Sequence, residues 1–529
     1  MEGELHPETR SRMLPQTVQK QTAQTMPIEL SASPIDEPQP NPAVPRPNSV
    51  LDELRTALRH MAVYGAGNVM VKVLGFLMLP FYTHYLSQKD YGILEILDLS
   101  MSLFALLLSM GLTPAFLRVY AAAGSEEEQR HVVSTACLFG IGAGALTFLI
   151  GCGFTGPATR FLLGPNVSST YVLLSFSALV LNFMANLPRT YLRALEASGT
   201  FATLDTGAVL LLLVLNVWFI AGLKLGLAGI LWSALIVGAL QFFGLSFWAF
   251  LKAGLRFHMS PLRRMLGFGT PLILANIGMF VLNFSDRFFL QHLRSLDIVG
   301  VYAVGYKFGF MMNYLFVQSF FIMWQTRMYA IHKNPDHRRV FREGFALYSL
   351  GLFFAGLAMS LFAPDAIRLM VDPKFRAGQE VVPVVVLSYI FYGLGYYAQV
   401  GMYLTDRTRM IGVIGAAAAV VNLALNYFLI SLWGMMGAAW ATLISFIVIA
   451  AASYWASQRV FPLPLGLGKM WCGLLLALAL YLPCRYWISF GLIGTLAIKA
   501  AALAAFPLIA WKTGILPKSW KSTSEVGLV

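Results

Sequence analysis

Lys72, Asp98, Asp286, Arg287, Lys307 and Lys499 lie inside stretches of sequence that are otherwise apolar. An ionisable side chain at the centre of a membrane helix costs roughly 2.5–3.5 kcal/mol on insertion scales, so each of these positions needs a compensating role. Cations outnumber carboxylates among them, and a cationic interior suits an anionic passenger. To a pyrophosphate group, lysine offers a compact charge and arginine a bidentate fork. Asp98 and Asp286 are the acidic candidates for a proton or sodium site. The alternative for Asp98 is a structural partnership with Lys72 or Lys307.

Spacing sharpens these assignments. Gly65, Asn68, Lys72 and Gly75 recur at i, i+3, i+7 and i+10, one face of a helix that should turn toward the bundle interior. There Lys72 either lines a cavity or pairs with Asp98. Asn276, Asn283 and Arg287 follow at i, i+7 and i+11 with Asp286 alongside, a pattern that fits a substrate contact or a helix-end ion pair. Lys307, within Gly-Tyr-Lys-Phe-Gly, either faces a substrate path or snorkels to the headgroups. Arg118 and Lys499 can snorkel or pair, and Asp205 reads as a helix cap. The chain has no Gly-x-x-x-x-Gly-Lys-Ser/Thr phosphate loop, no His-Glu-x-x-His and no Gly-x-Ser-x-Gly. The pattern therefore points to binding without catalysis, with no cofactor and no metal expected.

The elements that must carry these residues are membrane helices. The chain has 529 residues, 57% hydrophobic and 12% charged, with a mean hydropathy of +0.67, whereas soluble domains carry about 25% charged residues. Its apolar windows are far longer than the ~10-residue alternating strands of a membrane barrel, and backbone satisfaction in lipid then demands a helical bundle. Windows fall at about 61–83, 91–113, 132–152, 168–188, 203–223, 228–250, 266–288, 299–323, 342–363, 381–403, 410–431, 435–457, 469–487 and 490–511. The fold expected is an all-α polytopic membrane protein of about 14 transmembrane helices. Residues 1–50 carry prolines at 7, 15, 27, 34, 38, 40, 42, 45 and 47 and read as a disordered cytoplasmic tail. The net charge of +13 sets topology rather than a nucleic-acid partner. Lys and Arg crowd one set of alternate loops, such as Arg263, Arg264, Arg338, Arg339, Arg407 and Arg459, which puts both termini in the cytoplasm. The longest outer loop, about 364–380, reads as a solvated charged segment.

The windows also repeat. His84 and Gly92 match His292 and Gly300 at one offset (300 − 92 = 208), and Gly226, Gly229, Trp232, Leu235 and Ile236 match Gly434, Gly437, Trp440, Leu443 and Ile444 at the same offset. An even-numbered repeat keeps its orientation in the membrane, so two six-helix lobes should be related by a pseudo-twofold along the membrane normal, with a substrate path between them. The expected division is an N-terminal lobe at 51–260, a C-terminal lobe at 261–460, two further helices at 461–515 and a cytoplasmic tail at 516–529.

A family resemblance rests on motifs spread over residues 60–457. The first lobe carries Gly67-Asn68, Lys72, Leu79-Pro80-Phe81-Tyr82-Thr83, Tyr91-Gly92-Ile93-Leu94 and Gly111-Leu112-Thr113-Pro114-Ala115 with Arg118. The second carries Phe268-Gly269-Thr270-Pro271, Ser285-Asp286-Arg287-Phe288, Gly305-Tyr306-Lys307 and Asn422-Leu423-Ala424-Leu425-Asn426. In this order the chain resembles the polysaccharide transporter, or O-antigen flippase, family, whose superfamily also holds multidrug extruders and lipid II flippases. The resemblance implies two lobes around a central cavity and alternating access. It also implies a bacterial inner-membrane flippase that carries undecaprenyl-pyrophosphate-linked oligosaccharide outward for O-antigen, capsule or exopolysaccharide synthesis. The partners it implies are the lipid-linked substrate, membrane lipids, a coupled H+ or Na+ and a polysaccharide polymerase. By the same resemblance Lys72, Arg118, Asp286, Arg287 and Lys307 match polar positions of the family motifs. The competing readings are a multidrug or cation antiporter, a lipid II flippase and a membrane enzyme acting on lipid-linked sugars.

Overall fold

The computed structural model describes residues 75–516 apart from 110, 270–271 and 487–490. The proline-rich tail, Asn68, Lys72 and the side chain of Asn276 lie outside the described residues. Helices follow one another almost without interruption. They are α1 (Leu79–Tyr85), α2 (Gln88–Ser109), α3 (Leu112–Ala121), α4 (Glu126–Leu162), α5 (Ser169–Ala194), α6 (Ser198–Val217) and α7 (Leu227–Ala253). After α8 (Met259–Gly269) come α9 (Leu272–Leu293), α10 (Leu296–Met312), α11 (Ser319–His332), α12 (His337–Met370) and α13 (Val382–Ala398). The last are α14 (Val400–Leu404), α15 (Thr408–Trp433), α16 (Met435–Val460), α17 (Leu467–Tyr486) and α18 (Leu492–Lys512).

Among the described residues, 11 helices are long and apolar enough to cross a membrane. Most of the window at 61–83 falls outside them. The windows at 266–288 and 299–323 fall on α8–α9 and on α10 through α11; part of the first lies outside the described residues. Two windows are broken where an apolar profile gives no warning. At 91–113 the helix stops after Ser109, Gly111 takes a left-handed φ of 62° and α3 starts anew. At 266–288 residues 266–269 belong to α8, which straddles the boundary drawn at 260/261 and packs against α3 and α4. Arg264 of α8 reaches Glu128 at the start of α4 at 3.1 Å.

The 208-residue repeat is visible as repeated local chemistry. α2 starts where the Ser87 hydroxyl accepts the Asp90 backbone N–H at 3.1 Å, and α10 starts where Ser295 accepts that of Ile298 at 3.3 Å. Each serine satisfies a donor that the first helical turn leaves orphaned. Gly226, ahead of α7, has φ 54° and ψ −131°; Gly434, ahead of α16, has 57° and −130°. Only glycine enters that region without cost.

α2 and α10 are themselves a repeat pair, and they cross each other. A Cβ added to Gly92 would collide with the Leu296 carbonyl oxygen, and one added to Gly300 with that of Gln88. Leu296 stands 208 residues after Gln88 as Gly300 stands after Gly92, so the contact is its own mirror under the repeat operation. Small residues that let two backbones touch are the ordinary device of membrane helix packing. At the same end of the bundle a 3-10 segment, Pro373–Glu380, fastens the two halves together. There the Gln88 amide donates to the Lys374 carbonyl at 2.5 Å, and the Asp372 backbone N–H donates to the Thr83 hydroxyl at 3.4 Å. The stretch read from sequence as a solvated outer loop at 364–380 is thus corrected. Its first part extends α12, and its remainder is folded onto α10, with Gly378 against Gly305.

A polar seam binds α9, α15 and α16. The Ser285 hydroxyl donates to Asn422 Oδ1 at 3.1 Å, Asn426 Nδ2 donates to Ser285 and to Asn422, and Asn422 Nδ2 donates to Ser445 at 3.1 Å. All four side chains are buried. Interhelical amide and hydroxyl bonds of this kind contribute about 0.6–2 kcal/mol each in membranes, so the Asn422 and Asn426 motif is packing chemistry that fixes where α9 stands.

Candidate functional site

α9 and α10 meet α2 just inside the Gly92–Gly300 crossing, and there the charges converge. Arg287 is 2% exposed and binds Asp286 Oδ1 through Nη1 at 2.7 Å. The same Nη1 donates to the Asn283 carbonyl at 2.8 Å, while Nε lies 3.7 Å from Glu95 Oε1 of α2, an ion pair without a hydrogen bond. Asp286 takes a second bond from the Tyr302 hydroxyl at 2.5 Å. The guanidinium lies 3.8 Å from the centre of the Tyr306 ring, close enough for a cation–π attraction strengthened by desolvation. Tyr306 and Tyr389 share a hydroxyl–hydroxyl bond of 2.6 Å, and Tyr389 donates to Asn283 Oδ1 at 2.9 Å. Arg287 is therefore held through Nη1 and the face of its guanidinium, while Nε meets Glu95 by charge alone.

Lys307, five residues beyond Tyr302 on α10, completes the cluster differently. Its Nζ donates to the Tyr91 hydroxyl at 2.8 Å and stands 3.3 Å from Glu95 Oε2. Its side chain is 43% exposed, against 2% for Arg287, 3% for Asp286 and 9% for Glu95, so it is the least buried of these four. Asp98 lies one turn along α2 from Glu95 on the same face. It is exposed, and it is within electrostatic reach of Glu95 and Lys307.

The structure thus brings Asn283, Asp286, Arg287 and Lys307 together, with Asp98 at their edge. Arg118 is elsewhere: it lies on α3, beyond the break at Gly111, with its guanidinium 4.6 Å from the Phe268 ring centre. Asp205, read as a cap, pairs with Arg189 at 3.5 Å. The surplus of buried positive charge is corrected too. Glu95 answers both Arg287 and Lys307, and Lys499 of α18 is bound by Asp365 of α12. Glu95 was missed although it satisfies the criterion used for the others, a carboxylate inside an apolar window three residues before Asp98. The tyrosines around Arg287 carried no signal, because buried tyrosine in an apolar helix reads as core.

The chain matches the polysaccharide biosynthesis protein family over residues 57–322, half of its length. It belongs to that family. It is 28% identical over 245 residues to Lsg locus putative protein 1 of Haemophilus influenzae, a match that covers 46% of this chain and 59% of that relative's length. In fold it is similar to lipid II flippase MurJ in an inward closed conformation, with a TM-score of 0.66 at 12% identity, covering 86% of this chain and all of that one. It is similar also to an inward-facing multidrug resistance MATE family transporter of the MOP superfamily, with a TM-score of 0.59 at 15% identity over 73% of this chain and 94% of the other. At such identities the likeness is one of fold. The two solved structures are of a flippase and a transporter, and this member of the polysaccharide biosynthesis family shares their helical architecture.

Proposed function

We propose that the protein is a flippase that moves a lipid-linked oligosaccharide with an anionic pyrophosphate head across the bacterial inner membrane by alternating access. In this reading both termini are cytoplasmic, residues 51–260 and 261–460 are the two lobes with α8 spanning their junction, and the end where α2 and α10 start faces the periplasm. The carried lipid is an undecaprenyl-pyrophosphate oligosaccharide destined for O-antigen, capsule or exopolysaccharide, handed to a polymerase outside. The observation that carries the reading is Lys307: a lysine whose side chain is partly exposed and whose ammonium is held by Glu95 and Tyr91 of the other half of the repeat.

The chemistry follows from competition. A pyrophosphate oxygen reaching Lys307 replaces Glu95 as its counter-charge, which loosens a link between α2 and α10. Arg287 stays fixed by Asp286 and its tyrosines and supplies a constant positive field. Lys72, Asn68 and Asn283 are the further substrate-path candidates, with Arg118 near the cytoplasmic mouth. Asp98 and Asp286 are the candidates for a coupled proton or sodium ion. The polyprenyl tail remains in lipid throughout, so no bond is made or broken.

The test places purified protein in liposomes with an undecaprenyl-pyrophosphate oligosaccharide and follows glycan exposure with a membrane-impermeant glycosidase. Lys307→Ala is expected to slow exposure by roughly 10- to 100-fold, the worth of one hydrogen bond to a charged group. Unchanged exposure would remove Lys307 from the path, and no exposure by the unaltered protein with any glycan would remove the flippase reading. The exposed carboxylate of Asp98 favours one second reading, a cation antiporter. That reading requires efflux of cationic dyes that stops in Asp98→Asn and survives Lys307→Ala.

A further inference from the structure

A second feature lies on the outside of the bundle, between α15 and α16. Met410, Val413 and Ile414 of α15 and Ala452, Trp455 and Ala456 of α16 line a groove of about 580 Å³, within the ~300–1,000 Å³ range of small-molecule sites. The two alanines stand one turn apart on α16 and leave the floor open. Trp455 and Val413 are 70% and 62% exposed. The walls are apolar, and the remaining lining residues are Arg409, second in α15, and Arg459, next to last in α16. Because the two helices are antiparallel neighbours, both guanidiniums stand at the same end of the groove. Neither makes an ion pair or a hydrogen bond among the described residues, although each has an exposed side chain in reach of the groove.

The geometry points to a binding site for an anionic phospholipid, its phosphodiester between Arg409 and Arg459 and an acyl chain along Trp455 and Val413. Charge complementarity chooses the occupant. Two arginines with no counter-charge among the described residues sit at the mouth of an apolar channel, which runs from Arg459 to Ala452 for about 10 Å along the helix axis. Basic pockets between membrane helices select anionic headgroups in this way, and an exposed tryptophan near a helix end belongs at the headgroup level. The site is separate from the ion cluster. Asn422, which touches Ser285 beside that cluster, is 13 residues (422 − 409) and roughly 20 Å along α15 from Arg409. The assignment does not depend on what the protein transports.

Native mass spectrometry of the full chain in detergent tests it, with phosphatidylglycerol or phosphatidylethanolamine added. Phosphatidylglycerol should bind in preference, and its affinity should fall roughly fivefold for Arg409→Gln or Arg459→Gln alone and about 30-fold for both. Phosphatidylglycerol brominated on its acyl chains should quench tryptophan fluorescence in the unaltered protein and lose a saturable part of that quenching in Trp455→Phe, a variant that keeps both arginines. Equal binding of the two phospholipids, affinity unmoved by the double substitution, or quenching identical in Trp455→Phe would each overturn the site. Displacement of phosphatidylglycerol by stoichiometric undecaprenyl phosphate would overturn the assignment to phospholipid.

Discussion

Leucine at position 92 or at position 300 is expected to stop transport while leaving a folded, membrane-inserted protein. The Cβ alone would overlap backbone, the Leu296 carbonyl in one case and the Gln88 carbonyl in the other. Backbone of a helix cannot swing aside as a long side chain can. Overpacking of a close contact costs about 1–3 kcal/mol where the surroundings yield. Here relief comes from α2 and α10 standing apart, so the substitution acts on the state in which this end of the bundle is closed. Glycan exposure in liposomes should fall by about 100-fold or more, since a shift of ~3 kcal/mol in a two-state equilibrium is worth that much. Gly153→Leu on α4, where an added Cβ meets nothing within 4 Å, is the matched control and should transport normally. Normal transport by Gly92→Leu would show that closure at this crossing is not part of the cycle.

Arg287→Met should produce the largest loss of stability of any single change in the cluster. It leaves Asp286 and Glu95, 3% and 9% exposed, with no guanidinium between them. Removing one partner of a buried pair costs about 3–5 kcal/mol because the other charge stays buried and unanswered. Thermal unfolding in detergent, followed by tryptophan fluorescence, should show a clear drop in Tm. Adding Asp286→Asn should restore much of it, because an amide needs no counter-charge and still accepts from Tyr302. Lys307→Met, at a site 43% exposed, should cost far less stability while costing transport, and that contrast would separate the fixed part of the cluster from the part proposed to meet substrate.

Much of this arrangement can be read from residue order, and the reason is physical. The repeat shows because glycines at close approaches and special backbone angles, Gly92 with Gly300 and Gly226 with Gly434, tolerate no substitute and keep their register. Asn283, Asp286, Arg287 and Lys307 stand out because charge in an apolar helix is expensive. Pairing is what the chain order hides. Lys499 and Asp365 are 134 positions apart, one in the last apolar window and the other in the stretch that reads as a loop, and only the packing of α12 beside α18 pairs them. Glu95 passed unremarked at the end of an apolar motif, and without it the interior read as an excess of positive charge. The break at Gly111 and the folding of residues 373–380 onto α10 are set by tertiary packing, which apolar periodicity does not record.

In the proposed cycle the contact between the halves at the α2–α10 end opens and closes as substrate crosses. His84 of α1 and Asp372, before the 3-10 segment, approach to 4.0 Å across that contact. Replacing both by cysteine, with Cys137, Cys152, Cys472 and Cys484 changed to alanine, places a thiol on each half. A short cleavable thiol crosslinker should join them, glycan exposure in liposomes should stop in proportion to crosslinking, and cleavage of the linker should restore it. Full-rate exposure by completely crosslinked protein would contradict the account.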